Sequence, residues 1–370
     1  MKLLVLAQTP PPLHGQSLMV RTLVDGLPAQ GIEVHHVNLR LSLDAADIGR
    51  WRPLKIWHTL SGAVRAVIAR FRHGCDTLYY VPAPPKRGAL YRDWLVMLIC
   101  RPFFPRLVLH WHAAGLGPWL DMRITRLERA LSRAALARAD LALVLADHLH
   151  GDGAKLFARR IVVVRNGIAD PGPPPPPPPA EPFRVLFLGL CSEQKGLFFA
   201  ADAVVEANRR QPAAGGDAPP AFVLTAAGPF ENEAAAARFA ALAAQHPAAL
   251  RHAGIVSGAD KEKLFAECHL VCLPSRYPAE ASPLVLLEAL ARDRPILATR
   301  WRGIPEIVSA DIGRLVSPAS AETISEGLVE GLLALRAAPP DRGRARSRFL
   351  ARYTTARHLA SLAAALRTLE

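Results

Sequence analysis

Two α/β domains, each a parallel β-sheet flanked by helices, are what this 370-residue sequence predicts. Three observations carry the prediction. The chain is longer than one ordinary core supports. Short apolar runs with strand character alternate with helical patterns along its length, as parallel sheets covered on both faces require. Near the middle, seven consecutive prolines at 173–179, within PGPPPPPPPAEP, break the alternation. Such a tract holds neither helix nor central strand and reads as an extended spacer. The expected organisation is a domain at 1–170, a linker at 171–182, a second domain at 183–342, and a tail helix at 343–370 that crosses back to the first domain.

In the first domain the strand-like runs are 3–7, 33–37, 77–81, 107–111, 141–145 and 161–164. Helical patterns stand at 17–27 and 123–139, and Ser17 is a good N-cap. The apolar opening is too short for a leader and meets Pro10, Pro11 and Pro12 at once, so it reads as a first strand. In the second domain the strands are 184–189, 221–226, 270–273 and 295–299. The helices are 196–210, 231–245, 260–267 and 284–292. The Ala/Pro-rich stretch 211–220 reads as a surface insertion. Ligands of open parallel sheets bind beyond the C-terminal ends of the strands, so the expected site lies in a cleft between the domains.

Net charge is +13 and unevenly spread. Residues 1–170 hold 23 Lys and Arg against 12 Asp and Glu, a balance of +11; the remaining residues hold 22 against 20, a balance of +2. The first domain therefore favours anionic partners. Its basic residues interleave with apolar ones, from Arg50-Trp51-Arg52 through Lys55-Ile56-Trp57 to Arg70-Phe71-Arg72, and again at Arg101-Pro102-Phe103-Phe104-Pro105-Arg106. Basic amphipathic helices of this kind lie on anionic membrane surfaces, and no apolar run is long enough to span one. The five cysteines (75, 100, 191, 268, 272) form no metal-ligand spacing and read as reduced thiols. No helix-turn-helix signal or aromatic single-strand platform suggests nucleic acid.

Residues fit for chemistry cluster at predicted strand ends. Lys195-Gly196 lies in a loop after the strand at 184–189. Glu280 and Glu288 stand eight apart, and between them an apolar helix begins. A helix N-terminus presents unpaired N–H groups to an anion. His110 and His112 end the strand at 107–111. Both fall on one face by the two-residue period, and His112 is nearer the strand end. Gly15 sits in the first strand-to-helix turn. No Asp-x-Asp metal motif is present.

These segments, in their order, resemble the retaining nucleotide-sugar glycosyltransferases of family 4 (glycosyl transferases group 1). Pro274-Ser275, Glu280 with Glu288 and Ala289, Arg294-Pro295-Ile296-Leu297-Ala298-Thr299, and Gly303-Ile304-Pro305-Glu306-Ile307-Val308 match the family's "PS…E-x7-EA…PV-AT…GIPEIV" block. The resemblance implies GT-B architecture, two Rossmann-like domains whose parallel sheets face a central cleft. It also implies transfer of a sugar from a nucleoside-diphosphate donor with retention, without cofactor or metal. Glu280 would hold the donor sugar, the N–H groups of Ser282 and Leu284 the diphosphate (Pro283 has none), and Glu288 the ribose hydroxyls.

Gly189 through Lys195-Gly196 is similar to the family's "GR…KG" segment. Lys195 matches its lysine, but Leu190 stands where the arginine belongs, so a second cation must come from elsewhere, with Arg276 and Arg302 the candidates. Gly228 ends a strand beside the cleft, and Gly254-Ile255-Val256 resembles the segment that faces the base. Asn166-Gly167-Ile168 resembles the hinge before the linker. Pro10-Pro11-Pro12-Leu13-His14-Gly15-Gln16-Ser17 resembles the opening of members that build surface polysaccharides, as do Tyr91-Arg92-Asp93 and the two histidines. Catalysis would fall to Glu280, Lys195 and His112. The acceptor would be a lipid-linked or growing glycan, and the place of action the cytoplasmic face of the cell membrane, bound peripherally. An epimerase of the same architecture and a catalytically degenerate scaffold or polyanion-binding protein are the alternatives. The donor's sugar and base, the linkage and the oligomeric state are not encoded in these motifs.

Overall fold

The computed structural model describes residues 1–12, 14–39, 53–211 and 219–370. Leu13, the Arg50-Trp51-Arg52 start of the basic run, and most of the 211–220 insertion lie outside the described residues. The chain divides into two compact units: Met1–Gly167 with Tyr353–Glu370, and Ile168–Arg352.

The first unit begins with β1 (Lys2–Ala7), α1 (Gly15–Gly26), β2 (Glu33–Asn38), α2 (Pro53–His73), β3 (Thr77–Tyr80) and α3 (Arg87–Cys100). It continues with β4 (Arg106–Trp111), α4 (Leu116–Met122), α5 (Arg126–Leu136), β5 (Leu141–Val144), α6 (His150–Lys155) and β6 (Ile161–Val163). The strands form one all-parallel sheet in the order β2-β1-β3-β4-β5-β6. The helical pattern at 123–139 is the single helix α5, which Thr125 starts: its hydroxyl accepts from Glu128 N while the Glu128 carboxylate accepts from Thr125 N.

The second unit runs β7 (Phe183–Leu188), α7 (Leu197–Arg210), β8 (Phe222–Ala227), α8 (Glu233–Gln245), β9 (Leu250–His252), α9 (Gly258–Glu267), β10 (Leu270–Leu273), α10 (Leu284–Ala291), β11 (Ile296–Thr299), α11 (Ile304–Ile307), β12 (Gly313–Val316), α12 (Ala321–Ala337) and α13 (Arg344–Arg352). Its six strands are also all parallel, in the order β12-β11-β10-β7-β8-β9. The order reverses between β7 and β10, the position in an open parallel sheet beyond whose C-terminal strand ends ligands bind.

The stretch expected as one tail helix is two. It breaks at Tyr353–Thr354, where the Thr354 hydroxyl accepts from Arg357 N and starts α14 (Thr355–Arg367). Leu359, Leu362, Ala363 and Leu366 of α14 enter the first unit's core beside Leu3, Val5, Val20 and Leu23. With Ala365 these side chains are apolar and buried, so this segment is held mainly by hydrophobic packing.

Candidate active site

The second unit's site is built from the loops after β7 and β10, the two strands that flank the reversal. The β7 loop carries Lys195 and closes on Gly196, whose φ is +85°. A Cβ there would lie 2.2 Å from the Pro274 carbonyl oxygen, so only glycine allows the two loops to meet. Arg276 N donates to Gln194 O at 2.7 Å and ties them together.

Across this junction Lys195 Nζ lies 2.8 Å from Glu280 Oε2. The same oxygen accepts from Ser275 Oγ at 2.7 Å. Glu280 is 5% exposed, and a carboxylate so enclosed is tolerable only because both a cation and a hydroxyl reach it. The lysine ammonium also sits 4.8 Å from the Tyr277 ring centroid, a cation–π contact. The loop is fixed in turn: Ser275 Oγ accepts from Tyr277 N, Thr299 Oγ1 donates to Ser275 O, and Trp301 Nε1 donates to Tyr277 O. Burial, and after it the charge of Glu280, raises the Tyr277 phenol's pKa, so it stays protonated.

Helix α10 starts at Leu284 with Pro283 at its cap position. The Leu286 amide donates to the Pro283 carbonyl at 3.1 Å, and the positive end of the helix dipole lies beside this loop. One helical turn on, the Glu288 side chain is held by Lys261 of α9, Nζ to Oε1 2.7 Å. Gly228 packs on the β7 loop so closely that a Cβ would stand 1.9 Å from Gly189 O. Gly228 N donates to Gly254 O at 2.8 Å, and half-buried Val256 follows two residues on. The sequence-predicted residues of this unit thus fall on neighbouring strand ends. Leu190 is 37% exposed on the β7 loop and supplies no charge there. Arg276 is exposed beside the same loop, and Arg302 lies over the Trp301 ring at 5.3 Å.

The first unit presents uncharged groups. Ser17 is not the N-cap: His14 is, because its Nδ1 accepts from Ser17 N while Ser17 Oγ accepts from His14 N. Burial lowers the His14 pKa, which keeps Nδ1 free to accept. Gly15 is then the exposed first residue of α1. His110 is fully buried, and its Nδ1 shares a hydrogen bond with the Tyr79 hydroxyl. His112, half-buried past the end of β4, packs its ring 4.3 Å from that of His110. Burial pushes the His112 pKa down to about 3, with His358 and then His14 adding repulsion. Its Nε2 has no hydrogen-bond partner. The structure gives His110 Nδ1 a partner in Tyr79, while the Nε2 atoms of both histidines are buried without one. Asp93 of the Tyr91-Arg92-Asp93 run is structural: it accepts from Tyr80 OH and Ala83 N and secures the end of β3.

Residues 182–333 match the family model described as Glycosyl transferases group 1. This segment is similar to that family. Solved structures share the fold over the whole chain. Sucrose-phosphate synthase from Thermosynechococcus elongatus aligns with a TM-score of 0.74 at 17% identity, covering 100% of this chain and 98% of that one. Anabaena HepE in complex with UDP aligns with a TM-score of 0.69 at 18% identity, covering 100% of both chains. The lipopolysaccharide outer core galactosyltransferase WaaB in its apo form aligns at 0.64 and 14% identity, also over 100% of both. No curated protein matches the chain. The fold is GT-B, with two Rossmann-like domains each built on a parallel sheet.

Sequence reasoning passed over Ser275, Tyr277, Trp301 and Lys261 as functional residues. Ser275 stood in the quoted motif without a role, and its proximity to Glu280 across a five-residue loop was the available signal. Lys261 lies 27 residues from Glu288 on another helix, with no spacing rule to link them.

Proposed function

We propose that this chain is a retaining glycosyltransferase that moves a sugar from a nucleoside-diphosphate donor to a hydroxyl of a lipid-linked or surface-polysaccharide acceptor, without a metal. The observation that carries the reading is the Lys195–Glu280–Ser275 cluster at the point where strand order reverses in a group 1 glycosyltransferase segment. HepE structures with UDP and with UDP-glucose support a nucleotide-sugar donor.

As the sugar–phosphate bond breaks, negative charge grows on the leaving oxygen, and fixed cations and N–H dipoles there lower the barrier. An ammonium has three donors, so Lys195 can keep Glu280 and still donate to the diphosphate. Ser282, Leu284 and the following amide of α10 take the phosphate oxygens. Glu280 orients the sugar hydroxyls, Glu288 with Lys261 the ribose, and Gly189, Gly228 and Val256 the nucleotide's flank. Gly15 and the neutral His112 imidazole serve the sugar from the first unit. The acceptor hydroxyl attacks on the face from which the diphosphate departs. The basic first unit supports a place of action at the inner face of the cell membrane.

Incubation with radiolabelled donor sugars and a lipid extract tests this. Nucleoside diphosphate released only with acceptor, and a glycosidic bond of unchanged anomeric configuration, is the expected result. Inversion, or donor isomerisation without acceptor, would contradict it.

A further inference from the structure

Helix α2 buries Thr59, Ala63 and Ala66 in the first unit. Its opposite side exposes Trp57 by 66%, Val64 by 48%, Ile68 by 58% and Phe71 by 67%. At 3.6 residues per turn these four fall within about 60° of arc, one continuous stripe. Arg65 and Arg72 border that stripe on one side by the same geometry. The stripe continues off the helix: Phe103 is exposed and meets Phe71 edge-on at 5.9 Å. Arg70 fixes this junction, its Nε donating to Phe103 O at 2.9 Å. Single exposed hydrophobics are ordinary, but a row of large ones on one helix marks a surface that is covered in use.

Charge selects what covers it. Helix α2 holds Lys55, Arg65, Arg70 and Arg72 and no Asp or Glu. A second copy laid on the stripe would set cationic side chains against cationic ones, with no carboxylate on either helix to pair them. An anionic bilayer offers the opposite: apolar depth for the stripe, phosphates for the arginines, and a headgroup zone that suits Trp57. Among the described residues no helix is long and apolar enough to cross a membrane.

We infer that the exposed face of α2 docks on an anionic lipid bilayer, with Trp57, Val64, Ile68, Phe71 and Phe103 at headgroup depth and Arg65 and Arg72 on lipid phosphates. This deepens the reading that the enzyme acts at a membrane, and rests on it, by naming the surface that holds it there. Binding to lipid is independent of donor binding.

Sedimentation of the full chain with vesicles tests the assignment. Equimolar phosphatidylcholine and phosphatidylglycerol vesicles should retain the protein, and phosphatidylcholine alone should not. Ile68→Ser with Phe71→Ser should lower the partition coefficient at least about tenfold. Arg65→Gln with Arg72→Gln should lower it by about tenfold or more at low salt. All these positions are exposed, and unchanged thermal unfolding of the variants would show that folding is intact. Equal retention of variants and parent, or no retention on anionic vesicles, would overturn the inference. A dimer in solution that Ile68→Ser with Phe71→Ser disperses would assign the face to a second copy instead. Nucleotide-induced thermal shifts on the same proteins separate the two readings: absent shifts with intact vesicle binding would sink the donor site alone.

Discussion

The two units share one plan, six parallel strands with the working residues at the strand ends, yet they arm those ends differently. The second unit uses opposite charges locked together, Lys195 with Glu280 and Lys261 with Glu288. The first uses uncharged rings, His110 on Tyr79, His112 beside it, and His358 bonded to Arg165 O. The difference follows from enclosure. Glu280 is buried but has a cation and a hydroxyl to compensate it. The imidazoles are buried with no acid in contact, so the neutral form wins. The first unit's cationic excess instead lies outside, on surfaces such as α2. One unit thus holds paired charges at its strand ends, and the other holds neutral hydrogen-bonding groups inside and cations outside.

Breaking the charged cluster gives the largest effect. Lys195→Ala should lower kcat by about 100- to 1000-fold, and Glu280→Gln by about 100-fold, in steady-state assays with saturating donor. Equal loss from a remote lysine such as Lys263→Ala would remove the contrast. Next is the junction between loops. Gly196→Ala forces a left-handed backbone on alanine and drives its Cβ into Pro274 O. It should cost at least about 2 kcal/mol in denaturant unfolding.

Sharpening the comparison means adding charge where the second unit lacks it. Leu190→Arg should tighten nucleoside-diphosphate binding by about fivefold, the worth of one exposed charge contact; calorimetry reads it, and weaker binding would show that the loop points elsewhere. The smallest effect comes from the neutral rings. His112 has its pKa lowered to about 3 in the folded state and titrates near its usual 6.5 when unfolded. Between those values the unfolded chain binds the extra proton. Stability is therefore full above about pH 6.5 and declines as pH falls toward about 3. His112→Gln should flatten that decline, read as the denaturation midpoint against pH, with no change above pH 7.

The sequence made the second unit's site legible because its parts lie close along the chain. Glu280, α10 and Glu288 are one loop and one helix, and Lys195 follows a recognisable strand. The two-unit division, the parallel sheets and most strands followed from apolar runs and the proline tract. Strands β9 and β12 were missed because LRH and GRLV carry charge among few apolar residues, unlike the equally short apolar runs of β6 and β10. The identity of the α1 cap was missed because histidine seldom caps helices, and Ser17 looked the better candidate. The Tyr79 partner of His110 lies 31 residues away along the chain. No local pattern reports a contact of that range. The stripe on α2 was visible as alternating basic and apolar residues, but which apolar ones face outward was set by the packing of Ala63 and Ala66.

Isothermal titration with UDP, GDP and ADP, in the parent protein and in Lys195→Ala and Glu288→Ala, tests the central claim most directly. The account predicts micromolar-range binding of one nucleotide, about 8 kcal/mol, weakened at least about tenfold in both variants. No binding by folded protein, or binding that both variants leave untouched, would show that the loops after β7 and β10 do not form a donor site.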